Sequence, residues 1–298
     1  ALTSAQMQAL STDQLDAMTS AQIQALRSDV LTNMSSEQVS SLSTDHIVAL
    51  TQPQFEAFTP EQVTWFTSDQ FPAIESRDIA AMTALQMAAL TTDQLAVMTT
   101  EQVQAIETRD LVSMTTEQIA AMDTNQVASL TSNQVSALFT NQVAAMTTDQ
   151  IGAIETADLV GMSNTQLQAL TTDQVEVLGS DQLHALTNTQ VGGLLTAQLR
   201  ALTTEQLEAF SAAQFNAMSG SQVASFTTAQ VASLSTSLVP NLSNAVVSAL
   251  TEEQVVSITS DQVVALTTAH IAAMTSTQIA ALDTSQIDVL STEQLIAI

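Results

Sequence analysis

Hydroxyl groups, carboxylates and three imidazoles are the side chains of this sequence that could do chemistry. Ser and Thr are abundant, yet no Ser–His–acid pattern stands out, and there is no Lys to form a Schiff base. The sequence also has no Cys and no Gly-rich phosphate-binding loop. We therefore expect no catalytic residues and predict that the protein is not an enzyme.

The sequence offers few ligands for a metal ion. His46, His184 and His270 are far apart, and none has a second ligand three or four residues away. Acidic side chains instead recur about every eight residues, which predicts a solvated rim. We expect no cofactor and no dedicated metal site. Weak Ca²⁺ binding between neighbouring coils or chains is the alternative that these acids leave open.

The elements that carry these residues are copies of one eight-residue repeat. Ala89–Gln104 shows it twice, as ALTTDQLA followed by VMTTEQVQ. Counted from Ala1, the chain divides into 37 octads without insertion or deletion (37 × 8 = 296), and Ala297 and Ile298 begin another. Positions 2 and 7 are always large and apolar, and position 6 is Gln in 29 octads. An unbroken repeat this short predicts a repeat array.

Each octad carries the signals that start a helix. Thr91 and Gln94 have the spacing of a capping box, in which each side chain accepts from the backbone N–H of the other residue. Thr99 and Gln102 repeat the pattern one octad later. The apolar residues before the cap and at the fourth helical position match a hydrophobic staple. Position 5, acidic in 16 octads, meets the positive end of the helix dipole. The octad predicts a helix of about five or six residues that ends at the next Thr.

The spacing of the apolar residues decides between folds. Eight residues overshoot two helical turns by ~80°, so the apolar stripe would wind around a continuous helix. Odd spacings would put the apolar pair on opposite faces of a straight strand. We predict an all-α solenoid, a superhelix with a continuous apolar spine. A β-solenoid is the alternative, which the abundant Ala, Gln, Leu and Met and the presence of only six Gly disfavour. Met at position 2 falls mostly in odd-numbered octads, which indicates a coil of two octads.

The composition limits the partners. The formal net charge is −26, with four Arg and no Lys. This charge argues against a nucleic acid held through its phosphates and against docking on anionic lipid. Apolar runs stay far below the ~18 residues of a membrane span, so we expect no membrane insertion. A basic protein is the partner that the charge leaves open.

We expect one continuous array over residues 1–298, irregular at residues 49–72 and 233–248. The first irregular segment is rich in Phe and Pro, and a Pro at its end is expected to distort the last turn. Trp65 takes a position that is usually small, so we predict that it projects as a contact residue. The second segment lacks the Gln of both its octads and contains Pro240, which makes it the expected kink.

Three octads replace both capping residues by acids. The replacing residues are Glu75 with Asp78, Glu107 with Asp110, and Glu155 with Asp158. Arg lies between the acids in the first two of these octads. We expect an alternative cap with a local ion pair, and a cation or partner site is the other interpretation.

The tandem LTT[DE]Q[VIL]xAL octads, as in Ala89–Val97 and Ala169–Val177, resemble octapeptide arrays in large bacterial secreted and cell-surface proteins that are often described as adhesin-like. The resemblance covers the entire chain, and its motif is structural, so it supplies no functional residues. It implies an extracellular or cell-surface setting and a role in reach, assembly or attachment.

We therefore expect a structural protein, either the subunit of an extracellular filament or the stalk of a bacterial surface adhesin. Self-association would continue the apolar spine from one copy into the next. The predicted interface residues are Leu2, Trp65, Phe66, Leu295 and Ile298. The alternative is an acidic binding module, either a DNA mimic or a peptide-binding scaffold. The sequence reads as a processed protein or as an excerpt of a longer array.

Overall fold

The computed structural model describes residues 2–298, and its contacts separate into two compact units, residues 1–154 (unit 1) and 155–298 (unit 2). Both units are built from α-helices of four to six residues, and residues 2–298 contain no β-strand. Each unit is an α-solenoid. The all-α prediction is therefore confirmed, and the β-solenoid alternative is wrong.

Unit 1 contains eighteen α-helices and one 3₁₀ helix, at Phe71–Ala73. The α-helices are α1 (Ser4–Gln8), α2 (Thr12–Asp16), α3 (Ser20–Gln24), α4 (Ser28–Leu31), α5 (Ser36–Ser40), α6 (Thr44–Ala49), α7 (Gln52–Ala57), α8 (Pro60–Val63), α9 (Ser76–Ala80), α10 (Ala84–Ala89), α11 (Thr92–Ala96), α12 (Thr100–Ala105), α13 (Thr108–Leu111), α14 (Thr116–Ala120), α15 (Thr124–Ala128), α16 (Ser132–Ala137), α17 (Thr140–Ala145) and α18 (Thr148–Ala153).

Unit 2 contains seventeen α-helices and one 3₁₀ helix, at Val239–Asn241. The α-helices are α19 (Thr156–Gly161), α20 (Asn164–Ala169), α21 (Thr172–Glu176), α22 (Ser180–Ala185), α23 (Asn188–Gly193), α24 (Thr196–Ala201), α25 (Thr204–Glu208), α26 (Ala212–Asn216), α27 (Gly220–Ser225), α28 (Thr228–Ser233), α29 (Asn244–Ser248), α30 (Glu252–Ser257), α31 (Ser260–Ala265), α32 (Thr268–Ala273), α33 (Ser276–Ala281), α34 (Thr284–Asp288) and α35 (Thr292–Ile296).

The start of α11 shows why each helix begins where it does. The backbone of Thr91 is extended, with φ −77° and ψ 156°, so it stands outside the helix. Its hydroxyl accepts from the N–H of Gln94 at 3.2 Å, and the Gln94 Oε1 accepts from the Thr91 N–H at 3.0 Å. Two N–H groups that a helix start leaves without partners are satisfied in this way.

The amide of the same glutamine joins successive coils. Gln94 is buried, and its Nε2 donates to the carbonyl oxygens of Val63 at 2.9 Å and Phe66 at 2.8 Å. In unit 2, Gln230 Nε2 donates in the same way to Leu199 O at 3.0 Å and Leu202 O at 2.7 Å. These carbonyls belong to a helix end one coil earlier, where the last turn leaves acceptors free. We call the complete set of hydrogen bonds made by one such side chain the glutamine clamp.

The coil is larger than the two octads that the Met pattern predicted, so this prediction is wrong. The clamp reaches carbonyl groups 28 and 31 residues earlier, which puts between three and four octads in one coil. Each helix accordingly packs against the helix that lies three octads later in the chain, as α14 does against α17. Because a side chain is buried only when other elements surround it, two helices of this length cannot enclose the apolar spine.

The apolar spine consists of the side chains at positions 2 and 7. Leu90 and Leu95, the staple pair around the Thr91 cap, are both buried. The larger spine residues Phe55, Phe58 and Phe66 pack together in unit 1, with Phe55 and Phe66 stacked at a centroid distance of 5.7 Å. Since each helix buries only two large side chains, the core of each unit is a column of side chains that continues from coil to coil.

The two irregular segments both contain a 3₁₀ helix with a proline. Pro72 lies in Phe71–Ala73, and Pro240 lies in Val239–Asn241, as the sequence suggested for distorted turns. Near Pro240 one bond of the missing clamp is replaced, because Asn216 Oδ1 accepts from the Ser243 N–H at 2.6 Å. The Nδ2 of Asn216 donates to Asn241 O at 3.1 Å. An apolar cavity of about 40 Å³, lined by residues of unit 2, lies beside this segment.

A Gln94→Leu variant tests the clamp. It leaves the buried carbonyl groups of Val63 and Phe66 and the Thr91 N–H without their partner, so we expect a loss of ~2–4 kcal/mol in the free energy of unfolding. The measurement is urea unfolding followed by circular dichroism at 222 nm. The matched control is Gln14→Leu, because Gln14 is exposed and accepts only from the Ser11 N–H. An equal loss in both variants would contradict a stabilising role for the bonds between coils.

Candidate functional site

The capping glutamines lie inside the repeat, whereas Thr91 is exposed and Thr99 is half-buried. Gln94 and Gln102 are buried, and Gln102 donates to Phe71 O at 2.9 Å and Ile74 O at 2.7 Å. The Thr99 hydroxyl accepts from the Gln102 N–H at 3.2 Å. The arrangement gives the backbone its hydrogen-bond partners, and the glutamine amides are used up in it.

The predicted contact residues of the Phe-rich segment divide into one partly exposed and one buried residue. Trp65 is half-buried and therefore presents part of its ring at the surface. Phe66 is buried and packs edge to face against Phe58 at a centroid distance of 5.2 Å. Of these two residues, only Trp65 offers an appreciable apolar surface to a partner.

The first coil presents clamp side chains that have no carbonyl groups to bind. Gln6, Gln14 and Gln22 are exposed, although the glutamines at the same position in later coils are buried. They line an open depression together with Leu2, which is half-buried, and other spine residues. This surface, lined by the three glutamines and Leu2, is called the leading face below.

The last coil presents the complementary groups. Leu295 and Ile298 are 49% and 57% exposed, whereas equivalent spine residues of inner coils are buried. An open depression next to them is lined by Met274, Ile279 and other apolar residues. Gln294 makes the last clamp and donates to Val263 O and Leu266 O. The carbonyl groups after Leu266 therefore accept no hydrogen bond from a clamp glutamine. This surface is called the trailing face below. The sequence indicated the apolar part of both faces, while the free hydrogen-bonding groups became visible only in the coil.

The three acidic octads place an aspartate where the clamp would be. Asp78, Asp110 and Asp158 are all buried. The side chains of Glu75, Glu107 and Glu155 make no capping hydrogen bond, so the predicted acidic cap is wrong in all three octads.

In the first two acidic octads the glutamate pairs with an arginine instead. Arg77 Nη2 lies 2.7 Å from Glu75 Oε2, and Arg109 Nε lies 3.0 Å from Glu107 Oε2. The physical reason is that these glutamate side chains turn toward the neighbouring guanidinium group, away from the backbone N–H groups at the helix start. The local ion pair that we expected is therefore present in both octads, without the cap.

Burial changes the acidity of two of these aspartates. Desolvation raises the pKa of Asp78 to about 6, against the opposing effect of the Arg77 charge. Desolvation also raises the pKa of Asp110, against the opposing hydrogen bond from Arg109. Shifted pKa values of buried carboxyl groups are typical of functional sites and also occur in structural ion-pair networks.

The acids at position 5 behave differently, because they lie at the surface. Glu101 is exposed, and a hydrogen bond from its own N–H, together with one from the Thr99 hydroxyl, lowers its pKa. Glu117 is exposed, and the same pair of contacts, with Thr115 in place of Thr99, lowers its pKa as well. These carboxylates meet free N–H groups at helix starts, as the helix dipole requires.

Two of the three histidines act as clamps. His46 Nε2 donates to Met18 O at 2.7 Å, and its Nδ1 accepts from the Ser43 N–H at 3.4 Å. His270 makes the equivalent contacts with Leu242 O and the Thr267 N–H, at 2.8 and 3.2 Å. The neutral imidazole with its proton on Nε2 has one donor and one acceptor, which is why it can replace glutamine here.

The structure brings no candidate metal ligands together. Within residues 2–298, no group of three His, Cys, Asp or Glu side chains lies close enough to hold a metal ion. In the same part of the chain, none of the helices has the length and apolar character that a membrane crossing requires.

Comparison with known families agrees with the tandem repeat of the sequence. The ALTTAQ repeat matches the chain over residues 1–28, 71–105, 103–140, 151–188, 188–220, 205–244 and 268–298. These segments cover well over half of the sequence, and the chain belongs to the ALTTAQ repeat family. A search of curated proteins found no match.

Octads without a hydroxyl cap offer a test of the capping energy. Phe139 stands at the cap position of α17, makes no side-chain cap and is 55% exposed. We expect Phe139→Thr to be more stable than Phe139→Ala by ~1 kcal/mol, because both lose the ring and only Thr supplies the acceptor. Thermal unfolding of both variants by circular dichroism measures the difference. Equal stability would show that the hydroxyl contributes nothing to the start of α17.

Proposed function

We propose that this chain is a structural, non-enzymatic repeat protein that lengthens by joining end to end, as the subunit of an extracellular filament or as the stalk of a surface adhesin. The observation that supports the joining is the match between the leading and trailing faces. The leading face carries exposed glutamine amides, and the trailing face carries carbonyl groups that accept from no glutamine amide.

The proposed joint would extend the contacts that already connect the coils. Gln14 of one copy would donate to two carbonyl groups of the trailing face of another, as Gln94 does within unit 1. Apolar side chains such as Leu295 would be covered at the same time, which supplies the driving force for association. Because the two faces differ, the contact is heterologous and generates a filament wherever it does not close into a ring.

The extracellular setting is also a proposal, and it is supported by the resemblance to octad arrays of secreted and surface proteins. The charge of −26 favours solubility and makes parallel copies repel each other at low salt. End-to-end contact through polar amides and apolar residues avoids this repulsion better than lateral contact would. The proposed assembly therefore strengthens when salt screens the acids.

A substitution on the leading face tests the joint. In Gln14→Glu/Gln22→Glu, carboxylates face the carbonyl groups of the incoming copy, so we expect end-to-end assemblies to disappear. The control, Gln8→Glu/Gln24→Glu, adds the same charge at exposed residues that do not line the leading face. Negative-stain imaging and sedimentation velocity measure assembly at about 0.1–0.5 M salt, where the Debye length is about 10 Å or less. Equal assembly by both variants, or monodisperse particles for the unmodified chain, would contradict the proposal.

A second candidate is an acidic binding module. Unit 2 has an open groove of about 810 Å³, lined mainly by polar residues that include Arg200, Glu252 and Glu253, which favours an extended peptide as ligand. Salt-dependent capture of a basic peptide would support this function, and Glu252→Gln/Glu253→Gln should then weaken it. A filament subunit would not show such binding.

A further inference from the structure

Two buried carboxyl groups occupy the places of clamp amides. Asp78 and Asp110 lie at position 6 of their octads, and their relative exposures are 0% and 1%. Both oxygens of the Asp78 carboxyl group and Oδ1 of Asp110 are buried without any hydrogen-bond partner. A buried acceptor without a partner is costly, and a buried charge is more costly still.

The register of the clamp identifies what these carboxyl groups should bind. A glutamine at residue 78 would donate to the carbonyl oxygens 31 and 28 residues earlier, those of Ile47 and Leu50. For residue 110 they are the carbonyl oxygens of Ile79 and Met82. An ionised carboxylate has only acceptors and repels these oxygens, whereas a protonated carboxyl group has one O–H donor.

Few charged groups face these carboxyl groups. Asp78 Oδ1 lies 3.5 Å from Arg77 Nε, with Glu75 on the other side of the same guanidinium group. The helices packed against α9 are α7 and α12. The carbonyl groups of Ile47 and Leu50 belong to α6 and to the residue that directly follows it. The titratable residues on these three helices are Glu56, Glu101, Asp45 and His46. Glu56, Glu101 and Asp45 are exposed, and His46 is engaged with Met18 O.

The surroundings of Asp110 are simpler. Arg109 Nε donates to Asp110 Oδ2 at 3.3 Å, and Glu107 shares this arginine. The helices packed against α13 are α10 and α16, and neither carries a titratable side chain. Neither α10 nor α16 therefore compensates a negative charge at Asp110. The helix that carries Ile79, α9, adds Asp78 and Arg77, and the Arg77 guanidinium group is paired with Glu75.

We propose that Asp78 and Asp110 are proton-dependent clamps, which stabilise the contact between coils when protonated and weaken it when ionised. In acid each carboxyl group would donate its O–H toward the carbonyl groups of the preceding coil and take over the role of the glutamine amide. When ionised, each carboxylate offers these carbonyl groups no side-chain donor. The array would then be loosest at these two octads.

The direction of the pH dependence follows from the acidity of the folded state. The pKa of Asp78 is about 6 in the folded chain and 3.8 for an ordinary Asp. Between these values the folded chain holds a proton that the unfolded chain releases, so stability rises as the pH falls through 6. Below the ordinary pKa both states are protonated and this gain is complete. The unfolding equilibrium constant of the coil should fall ~100-fold for Asp78 over this window.

The experiment compares thermal unfolding at pH 8 and pH 5 by circular dichroism. We expect the melting temperature of the unmodified chain to rise from pH 8 to pH 5 relative to that of the Asp78→Gln/Asp110→Gln variant. The His46 and His270 clamps, which need a neutral imidazole, are the same in every variant and cancel in this comparison. Asp78→Gln/Asp110→Gln should melt higher than the unmodified chain at pH 8 and lose most of the pH-dependent rise. The control, Asp93→Asn/Asp149→Asn, removes the same charge at two exposed positions and should keep the rise. A rise of equal size in the glutamine variant would assign it to general charge repulsion and overturn the proposal.

Two further measurements make the outcome specific. The ¹³C shift of the Asp78 carboxyl carbon should titrate with a midpoint near 6, and a midpoint near 4 would overturn the proposal. CaCl₂ added at pH 8 should raise the melting temperature of the unmodified chain no more than that of the glutamine variant. A rise confined to the unmodified chain would mean that the carboxylates take a cation, and it would contradict a proton-dependent clamp.

Discussion

The buried glutamine at position 6 is the interaction on which the solenoid depends. Its oxygen accepts at the start of its own helix, and its nitrogen donates to the end of a helix one coil earlier, as Gln94 does with Thr91, Val63 and Phe66. One side chain thus satisfies backbone groups at two helix ends. An array of helices this short has an unusual number of such groups, and leaving them buried without partners would be prohibitive.

This constraint explains why the octad tolerates some substitutions and rejects others. Histidine replaces glutamine at residues 46 and 270 because a neutral imidazole also has one acceptor and one donor. Around Pro240 the Oδ1 of Asn216 accepts from the Ser243 N–H, the group that a glutamine at residue 246 would serve. Aspartate at residues 78 and 110 has acceptors and, unless it is protonated, no donor.

The same constraint bears on function. In inner coils such as that of Gln94, the glutamine donors and the carbonyl groups of helix ends bind each other. Gln14 and Leu295 differ from their equivalents in inner coils, because those equivalents are buried. The proposed end-to-end contact rests on this difference.

The sequence by itself determined the local structure: where each helix starts and ends, that Thr91 and Gln94 cap it, and which two side chains of each octad enter the core. These features depend on contacts within about five residues, which a short repeat encodes completely. The tertiary structure decided how many octads form a coil, what the Gln94 amide binds, and that Asp78 is buried without a donor. These features depend on groups about thirty residues apart, and every octad presents nearly the same groups, so the pattern of one repeat cannot indicate which other repeat lies beside it.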